Sequence, residues 1–151
     1  MLVFFIKKMV TMINKGLFSS ASVHWATPQE VYGALNNEFH FNYDPCPLHS
    51  LEDRLNTEWG TCVFMNPPYG REITKWLNKA YQESMKGKTI VCLLPSRTDT
   101  RWWHDYVMKA KEIRFLRGRL KFGGSKNSAP FPSCVVIFKK MADLFNKEKS
   151  Y

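Results

Sequence analysis

The sequence predicts an α/β fold: a compact, mostly parallel sheet with an antiparallel edge made by the C-terminal strands. Three observations predict it. Short apolar, strand-like runs alternate with segments of helical periodicity. The run at residues 89–94 is apolar almost throughout, as expected of a central strand covered on both faces. The last two strand-like runs are joined by a loop rich in Gly, Ser, Asn and Pro, as in a hairpin.

The elements follow in order. Thr27-Pro28-Gln29-Glu30 reads as a helix start, with Thr27 as N-cap, Pro28 at the first helical position and Glu30 completing a capping box. That helix carries Val31, Tyr32 and Leu35 on one face and is expected to end near Asn37. Residues 39–43 alternate with period two and read as a strand, stopped at Asp44-Pro45-Cys46-Pro47 by two prolines. Residues 61–65 form a short apolar strand that runs into Asn66-Pro67-Pro68-Tyr69-Gly70. Residues 72–86 then place Ile73, Trp76, Leu77 and Ala80 at helical spacing, and Gly87 ends the helix. After the central strand, Thr98 or Asp99 is placed to cap a helix over residues 101–110. Adjacent Trp102 and Trp103 there cannot share a face. Residues 113–116 read as a strand, and residues 119–122 and 134–138 as the closing pair.

A chain of 151 residues makes one sizeable core, and its apolar content argues against disorder. We read residues 1–18 as an N-terminal extension, with Met9 or Met12 as alternative starts, residues 19–140 as the domain and residues 141–151 as a tail. The net charge of +9 favours a polyanion such as nucleic acid, through phosphate neutralisation. No stretch reaches membrane-spanning length and no signal peptide is evident, so a cytoplasmic, membrane-free protein is expected. Cys62, Cys92 and Cys134 lie in apolar runs and read as buried reduced thiols. Cys46 and His49 have a metal-like C-x-x-H spacing, but no second pair completes it, so no metal site is expected.

Three distinctive segments sit at the carboxyl ends of strands, where open α/β sheets bind ligands: Asp44-Pro45, Asn66 to Tyr69, and Pro95 to Arg97. The second suits chemistry on a conjugated amine such as adenine N6. That nitrogen is a poor nucleophile because its lone pair is delocalised into the ring. Two rigid acceptors aimed at its hydrogens free the lone pair, and the Asn66 side-chain oxygen and the Pro67 carbonyl can be those acceptors. Pro67 and Pro68 stiffen the turn, and Tyr69 offers a ring face to an extruded base. Arg97, beyond a strand end, is a candidate phosphate contact or a partner of Asp99. Arg114, Arg117, Arg119, Lys121 and Lys126 form a basic run around a Gly-rich turn, expected to touch the DNA backbone.

Several segments in order carry a resemblance: His24-Trp25-Ala26-Thr27-Pro28, Phe41-Asn42-Tyr43-Asp44-Pro45-Cys46, Phe64-Met65-Asn66-Pro67-Pro68-Tyr69-Gly70, Leu94-Pro95-Ser96-Arg97-Thr98-Asp99-Thr100 and Gly118-Arg119-Leu120-Lys121-Phe122. Over residues 19–138 the chain resembles the phage DNA N-6-adenine methyltransferases. The resemblance implies a Rossmann-like class I methyltransferase sheet. It also implies methyl transfer from S-adenosylmethionine to the N6 of a flipped adenine, in a phage-encoded protein tied to protection from restriction. It makes Asn66, Pro67, Pro68 and Tyr69 the catalytic motif, and Trp25, Thr27, Pro28, Asp44, Pro45 and Asn66 the donor site. One departure stands out. No G-x-G loop lies between Phe39 and Asn66, and only about twenty residues separate Asp44 from Asn66, so the donor pocket is abbreviated. With little room for a recognition domain, specificity falls to loops or to a homodimer, or is weak. The competing readings are methylation of cytosine N4, RNA or a protein glutamine, and a non-catalytic DNA-binding protein of the same fold.

Overall fold

The computed structural model describes residues 25–48 and 52–141. The expected extension over residues 1–18, His24, His49 and all but the first residue of the expected tail lie outside the described residues. The elements are α1 (Gln29–Phe39), β1 (Cys62–Met65), α2 (Ile73–Met85), β2 (Thr89–Pro95), α3 (Arg101–Asp105) with a 3-10 turn at Val107–Lys109, β3 (Glu112–Phe115) and β4 (Ser133–Lys139).

The strands form one sheet in the order β1-β2-β4-β3. Only β1 and β2 pair in parallel. β4 runs antiparallel to both of its neighbours, with seven residues in register along β2 from Thr89↔Lys139 to Pro95↔Ser133. The expectation of a mostly parallel sheet with an antiparallel edge is therefore corrected: the antiparallel strand is interior and β3 is the edge. The reason is visible in β4 itself. Ser133 to Phe138 are all buried, the mark of a strand covered on both faces. Residues 119–122 form no strand. They belong to a loop between β3 and β4, tied down by Ala129 N–H donating to the Leu120 carbonyl at 2.7 Å.

Alternation along the strands divides the core in two. Val63, Met65, Ile90, Cys92, Leu94, Cys134, Val136 and Phe138 face Ile73, Leu77 and Ala80 of α2 and Trp103 of α3. Phe64, Val91, Leu93, Val135 and Ile137 face Leu35 of α1 and Phe122, Ala129 and Phe131 of the β3–β4 loop. Helices thus cover one face, and one helix plus a long loop the other. Trp103 is the core member of the tryptophan pair, while Trp102 is half-buried against the same cluster. Among the thiols, Cys92 and Cys134 are buried as expected, Cys62 is half-buried, and all four cysteines are free.

Local signals were realised in part. The capping box does not form: Pro28 is the N-cap of α1 and no side chain caps it, because the Thr27 hydroxyl serves another partner described below. α1 runs past Asn37 to Phe39, and His40 closes it in the left-handed region with φ 56°. The expected strand at residues 39–43 shrinks to a single parallel bridge, Tyr43↔Val63. It is reinforced by Asn42 N–H donating to the Cys62 carbonyl at 2.9 Å, Phe64 N–H donating to the Tyr43 carbonyl at 3.0 Å and Cys62 N–H donating to Asn42 Oδ1 at 3.0 Å. Thr100, not Thr98 or Asp99, caps α3 by accepting from Trp103 N–H, and the helix stops at Asp105.

Candidate active site

The Tyr43 bridge places Asp44 beside β1, level with Phe64, and β1 ends one residue before Asn66. Two parallel backbone segments thus deliver a carboxylate and an amide to the same end of the sheet. β2 completes the floor through its Leu93 carbonyl. After Asn66 the chain turns through buried Pro67 and half-buried Pro68 to Gly70, whose φ of 128° favours glycine, and α2 begins at Ile73. The two prolines leave this turn little backbone freedom.

Asn66 is held from three sides. Its Nδ2 donates to the Trp25 carbonyl at 2.7 Å and to the Thr27 hydroxyl at 3.1 Å, which uses both amide hydrogens. A main-chain carbonyl can only accept, so the amide has one orientation and its oxygen faces the other way. The Tyr69 hydroxyl lies 2.9 Å from Asn66 Oδ1 and 3.1 Å from the Leu93 carbonyl. Its single proton serves one of these acceptors at a time, and Oδ1 keeps a lone pair for a ligand. Burial first, then the neighbouring Cys134 and Cys92 thiols, hold the Tyr69 phenol well above its ordinary pKa, so it remains a proton donor.

The Tyr69 ring sits edge-on to Phe131 at 5.6 Å and to Phe122 at 6.4 Å, and Trp25 packs edge-on to the same two rings. Phe131 escaped the sequence reading, and Phe122 entered it only as the end of an expected strand and of a motif segment, not as part of the site. The one available signal was two aromatics flanking a Gly/Ser/Asn stretch that otherwise reads as solvated. Asp44 makes an Asx turn, its Oδ1 accepting from Cys46 N–H at 2.8 Å. Burial raises its pKa, against the Cys46 amide and the Arg54 charge, which lower it. Arg54, also missed, donates from Nη1 to the Asp44 carbonyl at 2.9 Å, and its guanidinium lies 5.6 Å from the Tyr43 ring centroid.

The structure therefore links Trp25 and Thr27 to Asn66 and Tyr69 by hydrogen bonds, with Pro28 next to Thr27 in the chain, and runs the Asp44-Pro45 segment alongside β1. Arg97 is half-buried, its guanidinium 5.9 Å from the Phe131 ring centroid. Arg117, Arg119, Lys121 and Lys126 are exposed on the β3–β4 loop. That loop is anchored beside the site by buried Phe122, Ala129 and Phe131, and by Gly123 N–H donating to the Ala26 carbonyl at 2.9 Å. Arg114 leaves the expected basic run: its guanidinium is paired with Glu38 at 2.6 and 2.7 Å and with Glu112 at 2.6 Å. Among the described residues, no group of three His, Cys, Asp or Glu is placed to hold a metal, and no helix is long and apolar enough to cross a membrane.

Comparison with known proteins decides the family. A family model for DNA N-6-adenine-methyltransferase (Dam) matches residues 17–147. The chain belongs to this family. It is also similar to the DNA N-6-adenine-methyltransferase of Haemophilus phage HP1 (strain HP1c1), at 28% identity over 146 residues and 84% of each chain. Membership in the DNA N-6-adenine-methyltransferase (Dam) family bears out the resemblance read from the motifs and makes DNA the class of molecule acted on.

Proposed function

We propose that this chain transfers a methyl group from S-adenosylmethionine to the N6 of an adenine extruded from DNA, within a reduced class I methyltransferase sheet. The observation that carries the reading is the Asn66 amide. Both of its hydrogens are engaged by Trp25 and Thr27, so its oxygen is a preplaced acceptor at the mouth of a rigid proline turn.

The residues at the strand ends fit the donor. Asp44 offers a half-buried carboxylate whose Oδ1 is fixed by the Cys46 amide, suited to ribose hydroxyls or an ammonium. Pro28 and Pro45 would wall the pocket, with Trp25 beside them. When bound, the donor supplies an electrophilic methyl group. The chain's own residues do the rest. Asn66 Oδ1 and the Pro67 carbonyl accept the two hydrogens of the adenine amine and turn its lone pair out of conjugation. Tyr69 provides a ring for the base, worth about 1–3 kcal/mol by the scale of single-strand binders. As the amine arrives at Oδ1, the Tyr69 proton turns to the Leu93 carbonyl, so neither acceptor loses a partner. Arg97, Arg117, Arg119, Lys121 and Lys126 contact the DNA backbone around the site.

Incubation of the purified protein with donor and unmethylated DNA, followed by digestion to nucleosides and mass analysis, tests the reading. N6-methyladenine is expected, and Asn66→Ala should abolish most of it while leaving the fold intact. Methylcytosine as the only product, or full turnover in Asn66→Ala, overturns it.

A further inference from the structure

The Thr27 hydroxyl stands where a helix cap was expected, yet α1 is not capped by it. It instead accepts from Asn66 Nδ2 across 39 positions of sequence. The terminal torsion of an asparagine side chain is soft and roughly two-fold, so an amide with one partner can swing or flip. Trp25 supplies the other acceptor from its main chain, which no substitution of its side chain removes. Among the described residues, Thr27 is therefore the one side chain that pins the amide nitrogen of Asn66. We infer that Thr27 is a positioning residue for the methyl-transfer step, acting through Asn66 rather than as a ligand of the donor.

The inference rests on the reading of Asn66 as the catalytic acceptor, and it reassigns Thr27 within that reading. Valine has nearly the shape of threonine but no acceptor. In Thr27→Val the second amide hydrogen of Asn66 is orphaned in a half-buried place, and the amide is held less tightly, by the Trp25 carbonyl and the Tyr69 hydroxyl alone. Misplacement of an acceptor on this scale costs a factor of about 10 to 100 in turnover. Serine keeps the hydroxyl.

The test compares wild type, Thr27→Val, Thr27→Ser and Asn66→Ala. Turnover is read as N6-methyladenine formed on unmethylated DNA at saturation, and affinity for S-adenosylmethionine by calorimetry. Thr27→Val should lower kcat about 10-fold or more with donor Kd held within about twofold, and Thr27→Ser should restore most of the loss. Thr27→Ala gives the same comparison if valine lowers the melting temperature below the assay. Wild-type kcat in Thr27→Val beside an inactive Asn66→Ala overturns the inference and spares the reading of the site. So does a weakened donor Kd with kcat kept, which would make Thr27 a donor ligand, or an equal loss in the serine and valine variants. Full activity in Asn66→Ala overturns the site itself.

Discussion

Glu83 shows how a charge can be buried without harm. Its side chain is fully enclosed on α2, and Lys79 at 2.6 Å, Lys86 at 3.2 Å and Lys88 converge on its carboxylate. Burial works against the charge, but the three lysines together bring its pKa down to about 2 from an ordinary 4.5. A carboxylate depressed on folding stabilises the native state fully above its unfolded pKa. The contribution is lost as pH falls from about 4.5 through about 2. Glu83→Gln should therefore lower the melting temperature near neutrality, by the equivalent of about 1–3 kcal/mol. It should also flatten the fall in stability over that acid window; melting curves from pH 7 to pH 2 check both. At this scale the sequence was readable where partners are local and opaque where they are distant. Asn66 to Tyr69 announce themselves in four consecutive residues. Nothing near Thr27 says that its hydroxyl belongs to Asn66, and nothing near Arg114 says that it is spent on Glu38, 76 positions away.

Among the elements, the short connection before β1 has the least tolerance. A Cβ at Gly60 would lie 2.6 Å from Asn42 Oδ1 and 2.7 Å from Tyr43 Cβ. Those two residues align the Asp44 segment with β1, so Gly60 permits the contact that sets Asp44 in place. Gly60→Ala should cost about 1–3 kcal/mol by overpacking. On the proposed reading of Asp44 as a donor ligand, it should weaken binding of S-adenosylmethionine more than Gly87→Ala, whose added Cβ meets nothing within 4 Å although its φ of 94° is strained for alanine. Chemical denaturation and donor calorimetry on the two variants measure this, and equal donor affinities would contradict it. Most elements were legible: the periodicities behind α2, β1 and β2 are strong and their ends lie within a residue or two of expectation. The neighbours of β4 were not. A continuous apolar run says that a strand is covered on both faces, but not which strands flank it. The strand expected at residues 39–43 failed because α1 consumed Phe39, and His40 then turned the chain.

Over the whole molecule, part of the excess positive charge gains a location among the described residues. Arg117, Arg119, Lys121 and Lys126 are exposed on a loop whose aromatic anchors touch Tyr69 and Trp25. If the loop meets phosphates, DNA affinity falls steeply with salt, and the log–log slope shrinks by about 0.9 for each contact removed. Arg119→Ala with Lys121→Ala should therefore shallow the slope by about 2 with little change in donor affinity, whereas a variant at Arg114, already paired with two glutamates, should leave it unaltered. Binding titrations over a range of salt concentrations read this directly. The position of β4 carries a consequence for biogenesis. β3 has β4 as its sole ladder partner among the described residues, and β2 depends on β4 along its whole length. A nascent chain emerging from the ribosome therefore leaves β2 paired on one side only and β3 without a ladder partner among the described residues until residues 133–139 arrive to slot between them. Assembly of the open sheet must wait for this segment, and a premature stop before Ser133 removes the keystone of the sheet rather than its margin.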